Sequence, residues 1–262
     1  MRLHASDTIR GAGAEMRGIG TLINIVTVTV GGLAGIFIGH RFPERMRQTI
    51  MQGIGLTVIA VAVVGFEPLL DADRGLRRAV ILVASMTLGA IVGELLQLED
   101  RLDAFGEHLR KRFGVDEGKD VDLIGGHSRF VEGFVVASTV FCVGPLTLLG
   151  AVEDGLGISV RLLAIKSTLD GIVAVGFASV YGWGVLASLI TIVVVQGGFT
   201  LGAVLLDPVL TAEVLAQLGV VGSLLVLGIG LRLLEIKEIR VVNLSPALVI
   251  GPIVAGIVDS LI

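Results

Sequence analysis

The chain alternates between long apolar stretches and shorter polar connections. Most apolar stretches approach the ~20 residues that a helix needs to cross about 30 Å of hydrocarbon. Their apolar positions are continuous, which favours helices over the alternating strands of a membrane barrel. The second stretch is interrupted late by Glu67 and Pro68, and the seventh is short. The pattern predicts an all-α, polytopic transmembrane bundle of about eight spans, or seven if one is re-entrant. The spans are approximately 21–39, 50–70, 79–97, 131–150, 161–181, 184–206, 218–234 and 246–262.

Lysine and arginine are unevenly shared between the two sets of loops that eight spans create. Because cytoplasmic loops are enriched in these residues, the richer set is predicted to be cytoplasmic and the N terminus to lie outside. The arginines of the N-terminal tail oppose this orientation. The richer set holds Arg41, Arg45, Arg47, Arg101, Arg110, Lys111, Arg112, Lys119, Arg129, Lys237 and Arg240, and the poorer one holds Arg74, Arg77, Arg78 and Arg161.

Two polar segments lie outside the predicted spans. Residues 1–15 are predicted to be a disordered leader, and Met16 is an alternative start of the protein. The connection 98–130 predicts a cytoplasmic amphipathic helix that continues from the third span, with charges on its other face. Its apolar positions recur at helical spacing: Leu98, Leu102, Phe105, Leu109 and Phe113.

The first and sixth spans resemble each other. When 21–41 is aligned with 188–208, seven of the 21 positions are identical. The third span then falls on the eighth, and the second falls on the seventh with a shift of two, which pairs Gln52 with Gln217. Five spans separate the first from the sixth, so a true three-helix repeat would be inverted. Inverted repeats are typical of transporters, whose binding sites lie at the repeat interface.

Composition supports a membrane protein and excludes several other classes. The chain is 53% hydrophobic and 17% charged, with a mean hydropathy of +0.91. Soluble domains average about 45–50% apolar and about 25% charged residues. The single cysteine, Cys142, excludes an intramolecular disulfide, and the four histidines all lie in polar segments, so no metal site and no cofactor are predicted. The net charge of −4 predicts no nucleic-acid binding.

Asp170 is the most deeply placed ionisable residue of the predicted spans. It lies nine residues beyond Arg161, which is roughly 13 Å into the fifth span. Lys166 is four residues earlier on the same helical face, so the two side chains can pair and lower the cost of burial. We expect either a proton or cation site with Lys166 as counter-charge, or an ion pair that only stabilises the helix.

The fourth span carries polar groups around a proline. Pro145 frees a backbone carbonyl in mid-span, so an unwound segment at Gly144–Pro145 is a candidate ion ligand and a simple kink is the alternative. Asp154 lies at the predicted outer mouth, where it attracts cations or caps a turn. Three further candidates lie on the same span: Glu132 near the cytoplasmic boundary, Ser138 and Thr139.

Uncharged polar and small residues complete the set of candidates. Asn24 on the first span and Gln196 on the sixth suit either the coordination of a dehydrated ion or hydrogen bonds between helices. Glycines at four-residue spacing let helix backbones approach closely and permit a homodimer. They are Gly31, Gly35 and Gly39 on the first span, and Gly89 and Gly93 on the third.

Several motifs resemble one family in their order and spacing. They include GTLIN (20–24), LGAIVGELL (88–96), FCVGPLTLLGAVEDGLG (141–157) and KSTLDG (166–171). The chain is similar over 18–254 to domain-of-unknown-function family 554, the YdfK/YqgA-like bacterial membrane proteins. The resemblance implies a polytopic protein of the bacterial inner membrane and, at most, a transporter without an assigned substrate. Glu132, Glu153, Asp154, Lys166 and Asp170 coincide with charged positions of the family.

Three functions follow as hypotheses. The first is a transporter or channel for a small ion or polar solute, coupled to protons or cations, because of the buried charges and the inverted repeat. The second is a membrane scaffold or sensor that acts through the 98–130 helix. The third is an intramembrane enzyme, which is disfavoured because the chain has neither a GxGD nor a GxSxG motif.

Overall fold

The computed structural model describes residues 17–114, 128–206, 208 and 210–261, and this part of the chain is helical without a strand. The predicted all-α polytopic bundle is confirmed. The predicted leader 1–15 and the 115–127 part of the long connection lie outside the described residues. The helices are α1 Ile19–Gly39, α2 Glu44–Val64, α3 Gly75–Leu96, α4 Leu98–Phe113, α5 Arg129–Val143, α6 Pro145–Leu156, α7 Arg161–Tyr181, α8 Trp183–Ala187, α9 Leu189–Leu206, α10 Ala212–Leu233, α11 Val241–Leu244 and α12 Ala247–Leu261.

Seven helices in the described part are long and apolar enough to cross a membrane, and the bent pair α5–α6 adds an eighth. The pair is bent by 59° at Gly144. It runs antiparallel to α7 along the whole length of that helix, because Gly133 packs on Tyr181 and Gly150 packs on Leu163. The pair therefore starts at one side of the bundle and ends at the other, as a broken span does and a re-entrant loop does not.

The seventh span is longer than the 218–234 stretch that hydropathy predicts. α10 begins at Ala212 because the side chain of Thr211 caps its first turn, accepting a hydrogen bond from the Val214 N–H at 3.3 Å. The polar residues Glu213 and Gln217 are thereby included in the helix. The fifth span, Arg161–Tyr181, has the predicted bounds.

Helices α1 and α7 pack in parallel with their backbones in contact. Gly31 lies against the Gly171 carbonyl, Gly35 against Val175, and Gly39 against Ser179. On the third span, Gly93 lies against the Asn243 backbone. The close approach expected from the glycine spacing is therefore present.

Each helix pair that the candidate repeat relates is packed antiparallel. Spans one and six meet where Asn24 bonds Gln196. Spans two and seven meet where Gly55 packs on Leu233 and Leu234, and spans three and eight meet where Gly89 packs on Ala247. Antiparallel pairs are compatible with an inverted repeat, and any two helices that are an odd number of spans apart are antiparallel.

Helix α4 leaves α3 at Gln97, which adopts a left-handed conformation with φ of 50°, so it is a separate helix and not a straight continuation of the third span. Its apolar face packs on α5, where the rings of Phe105 and Phe134 meet edge to face with centroids 5.8 Å apart. Glu99 accepts a hydrogen bond from Arg232 at 2.8 Å, and burial raises the pKa of its carboxyl above the usual range. Below, "the α4 side" is the end of the bundle that carries α4, and "the far side" is the opposite end.

The α1–α7 contact predicts that Gly31→Ala is destabilising. A methyl group at this position would collide with the Gly171 carbonyl oxygen, whereas Gly53 has nothing within 4 Å of an added Cβ. We expect Gly31→Ala to cost about 1–3 kcal/mol, the usual cost of overpacking. Thermal unfolding in detergent measures the change, and Gly53→Ala is the matched control. Equal melting temperatures for the two variants would contradict the close contact.

Candidate functional site

Lys166 and Asp170 form an ion pair inside the bundle. The lysine ammonium contacts the Asp170 carboxylate one turn away on α7. Lys166 is 5% exposed and Asp170 is 7% exposed, near the middle of a 21-residue span. The predicted pair is therefore formed, at a depth where a single charge would be costly.

A chain of uncharged polar groups joins this pair to α1 and α9. The Asn24 amide interacts with the Asp170 carboxylate and donates to the Gln196 carbonyl at 2.9 Å. The Gln196 amide donates to the Thr21 hydroxyl at 3.2 Å, which meets the Thr200 hydroxyl at 3.0 Å. Within the described part of the chain, the side-chain amide oxygen Oδ1 of Asn24 is buried without a hydrogen-bond partner. Asn24 therefore offers one open acceptor next to a carboxylate.

The broken fourth span packs along α7, the helix that carries the ion pair, with Gly133 on Tyr181 and Gly150 on Leu163. Gly144 is extended, with φ −66° and ψ 146°, and Pro145 begins α6. Pro145 cannot donate to the Phe141 carbonyl, and the Thr147 hydroxyl donates to that oxygen instead, at 3.0 Å. A side chain therefore satisfies the carbonyl that the proline frees.

Asp154 has a local partner and lies apart from the ion pair. It is almost fully buried, and its carboxylate accepts from the backbone N–H groups of Gly20 and Thr21 at 3.2 and 3.4 Å. It thus caps the start of α1, where the helix dipole favours a negative charge. Asp154 was expected either to attract cations or to cap a turn. In the structure it is a cap, and the helix that it caps is α1 rather than its own helix α6.

The other candidates of the fourth span are separated from Asp170 along α5. The Ser138 hydroxyl meets the Thr191 hydroxyl of α9 at 2.6 Å, and the Thr139 hydroxyl donates to the Val135 carbonyl at 2.7 Å. Glu132 lines a polar cavity of about 530 Å³ at the α4 side. This cavity, called the vestibule below, lies between α2, α5, α7 and α10 and is lined by residues that include Glu44, Arg47, Gln48, Gln52, Tyr181 and Arg232.

Between the vestibule and Asp170 lies an apolar layer. Ile50 and Ile54 of α2 cover Gly176 of α7. Gly176 is six residues, or about 9 Å, from Asp170 along the helix. Ile50 and Ile54 therefore cover α7 on the stretch between the vestibule residue Val180 and the ion pair.

Another buried carboxylate, that of Glu213, was missed by the sequence analysis. Glu213 is 2% exposed and accepts hydrogen bonds from Nε and Nη2 of Arg78, at 3.0 and 2.8 Å. Arg74 and Arg77 each lie 3.3 Å from the same carboxylate. This group at the far side, called the arginine cluster below, joins α3 to α10. The sequence signal that could have indicated it is that three arginines precede the third apolar stretch and a glutamate precedes the seventh, at what would be the same side of the membrane.

No group of three or more His, Cys, Asp or Glu residues that could hold a metal ion is found among the described residues. The charges inside the bundle are instead arranged as ion pairs and caps.

The comparisons with known proteins agree with this architecture. The sequence profile of the family described as "Protein of unknown function (DUF554)" matches residues 19–256. The chain belongs to the DUF554 family. It is 26% identical to the uncharacterised membrane protein YdfK of Bacillus subtilis over 241 residues, which are 92% of this chain and 97% of YdfK. It is 30% identical to the uncharacterised protein YqgA of Escherichia coli over 233 residues, 89% of this chain and 94% of YqgA. No solved structure gives a significant match.

The long apolar helices and the likeness to the membrane protein YdfK identify the chain as a multi-pass membrane protein, and the family agrees with the resemblance seen in its motifs. The matched range contains all of the ion pair, its polar neighbours and the broken span. The site is thus part of the family's own domain.

The buried ion pair predicts a strongly non-additive effect of substitutions in this DUF554 protein. Asp170→Asn leaves the Lys166 ammonium unpaired and is expected to cost about 3–5 kcal/mol. The double variant Lys166→Met, Asp170→Leu is expected to be close to wild type, because it removes both charges. Thermal unfolding in detergent checks this, with Glu107→Gln as control, since Glu107 pairs with Arg110 on the surface of α4. A double variant as unstable as Asp170→Asn would refute the pairing.

Proposed function

We propose that this DUF554 protein is a transporter for a small ion or polar solute, coupled to the movement of protons or cations. The observation that carries the proposal is the Lys166–Asp170 pair with the open Asn24 oxygen beside it, at mid-span and next to a broken helix. Ionisable groups at this depth are costly, and transporters use them as coupling sites.

The chemistry of the pair limits what can bind. A proton or cation that binds Asp170 releases the Lys166 ammonium, which then needs an anionic partner or a new conformation. An anion that binds Lys166 releases the Asp170 carboxylate in the same way. Ligands that keep the site neutral avoid this cost, and they are a proton or cation together with an anion, or one zwitterion.

The surrounding architecture supports alternating access. The three antiparallel helix pairs are those expected of an inverted repeat, and the site lies where spans one and six meet span five. The vestibule provides a polar approach from one side, and the isoleucine layer separates it from the pair. We infer that the vestibule faces the cytoplasm, because the loops around it are the arginine-rich set.

The remaining expectations are part of the same proposal. We place the protein in the inner membrane of a bacterial cell, surrounded by lipid, with a homodimer permitted, and we propose no catalytic activity, no cofactor and no nucleic-acid partner. Transport is favoured over a scaffold that acts through α4, because Leu102 and Leu109 of α4 are packed on α5 and only Phe105 and Phe113 of its apolar face are exposed.

Proton flux in proteoliposomes tests the coupling. Vesicles that contain the wild-type protein and the pH dye pyranine are expected to change internal pH when a gradient of sodium chloride or potassium chloride is applied, because chloride can accompany the cation or proton and keep the site neutral. Asp170→Asn is expected to abolish this change, because the amide can neither carry a proton nor bind a cation as a carboxylate does.

Two controls make the flux result specific. Glu107→Gln removes a carboxylate on the surface of α4, away from the ion pair and both ends of the solute path, and is expected to leave flux unchanged. Asn24→Leu removes the open oxygen but no charge, and is expected to lower flux in a protein that still folds. Full flux in both Asp170→Asn and Asn24→Leu, or no flux in the wild type, would reject the proposal.

A further inference from the structure

Gln217 on α10 is a buried amide whose hydrogen bonds are not made. It is 0% exposed, and within residues 17–114, 128–206, 208 and 210–261 neither its nitrogen nor its oxygen has a hydrogen-bond partner. An unpaired buried polar group costs about 1–3 kcal/mol and calls for a reason, which at functional sites is a ligand or a second conformation.

The surroundings of Gln217 are polar on one side. Its side chain packs against Gly251 of α12 beside the hydroxyl of Ser85 on α3. One turn towards the far side lies Glu213, held by the arginine cluster. Gln217 therefore lies directly beneath an ion-paired group at the surface of the bundle.

The counterpart of Gln217 in the candidate repeat is Gln52 of α2. Gln52 is exposed and lines the vestibule at the α4 side. The same alignment pairs Gln48, which also lines the vestibule, with Glu213. One pair of equivalent positions is thus open at one side of the bundle, and the other is closed at the opposite side.

The two helices that carry these residues are packed very differently. In the apolar window of the α10 span, 61% of the residues are buried, against 17% in that of the α2 span. α10 packs on both α3 and α12, and α2 packs on neither to a comparable extent. Since inverted repeats exchange their conformations when a transporter turns from one side to the other, this asymmetry is the expected mark of one end of the cycle.

We propose that Glu213 and Gln217 line a second vestibule, which opens at the far side when α10 separates from α3 and α12. The arginine cluster holds it closed in the present structure. When it opens, the Gln217 amide meets the solute and its water, and Gln52 becomes buried. This inference rests on the proposed transport function and adds a binding residue and an entrance to it.

The charges of the closed vestibule indicate which solutes it admits. Arg74, Arg77 and Arg78 are balanced by Glu213 together with Asp71 and Asp259, which lie 3.6 and 3.4 Å from their arginine partners. The amide of Gln217 and the hydroxyl of Ser85 add neutral donors and acceptors. A polar solute without net charge, including a zwitterion, fits both this entrance and the neutral Lys166–Asp170 site.

Cysteine accessibility tests the second vestibule. Cys142→Ala removes the only cysteine of the chain, and Gln217→Cys, Gln52→Cys and Leu201→Cys are then introduced separately. The probe is the membrane-impermeant thiol reagent 2-sulfonatoethyl methanethiosulfonate, added to either side of sealed vesicles. Leu201 is 89% exposed towards lipid and is the control that the reagent does not reach.

Opening the arginine cluster is expected to make the cysteine at position 217 accessible to the reagent and the cysteine at position 52 less accessible. Gln52→Cys reacts from the α4 side and Gln217→Cys does not. With Glu213→Gln added, we expect Gln217→Cys to react at least about tenfold faster and from the far side, while Gln52→Cys slows, since removing a buried carboxylate that three arginines share shifts an equilibrium by at least that factor. Arg74→Gln removes only the most exposed arginine and gives a smaller change in the same direction.

The inference is overturned if Gln217→Cys reacts no faster than Leu201→Cys in both backgrounds, or reacts from the α4 side. Should Glu213→Gln fail to fold, the Arg74→Gln background decides. The labelling needs no flux, so the two proposals fail separately. If Gln217→Cys is accessible but Asp170→Asn and Asn24→Leu keep full flux, only the coupling site is rejected. If Gln217→Cys is inaccessible but flux depends on Asp170, only the second vestibule is rejected.

Discussion

The parallel contact between α1 and α7 is the constraint around which the rest of the structure is arranged. Glycines at the crossing allow the two backbones to touch, at Gly31 with Gly171. The contact brings Asn24 to Asp170 and carries the α9 side chain Gln196 with it. With α2 and α3 crossing between them, α1 and α7 can be parallel only if a third crossing also lies between them. The fourth span must therefore cross the membrane, although Pro145 breaks it.

The interior of the bundle satisfies almost every polar group locally, and this makes the exceptions informative. Asp154 caps α1, Thr147 bonds the carbonyl that Pro145 frees, and Lys166 pairs with Asp170. In hydrocarbon there is no water to replace a missing partner. Among the described residues, the Asn24 side-chain oxygen and the Gln217 amide are the uncharged exceptions, and the others are single atoms of Arg47, Arg77 and Glu99, whose side chains have further partners.

Charge neutrality connects the site with its entrances. The ion pair of α7 and the arginine cluster both carry balanced charges, so neither attracts a single ion strongly. In the proposed transporter, discrimination between ligands would rest on hydrogen bonding and on whether a ligand leaves a charge uncompensated. The isoleucines that pack on Gly176 would add a steric barrier.

The helical membrane architecture, the family and the pairing of Lys166 with Asp170 could be predicted from the amino-acid sequence. Continuous apolar stretches specify helices because the backbone must bond internally in hydrocarbon, and a four-residue spacing places Lys166 beside Asp170 on any helix. The four-residue spacing of glycines on the first and third spans likewise predicted close contacts between helix backbones. These features depend on local pattern, which a single chain displays directly.

Only the tertiary structure decided which helices meet and which polar groups are left over. Gln196 bonds Asn24, and Asp154 caps α1 across 134 positions of the chain, because helix packing sets contacts between distant residues that no local spacing encodes. The start of α10 was misjudged for the same reason. By hydropathy alone, the charge of Glu213 argues against including it in a span. In the folded bundle three arginines pair with this carboxylate and neutralise it, and no local pattern in the sequence shows that pairing.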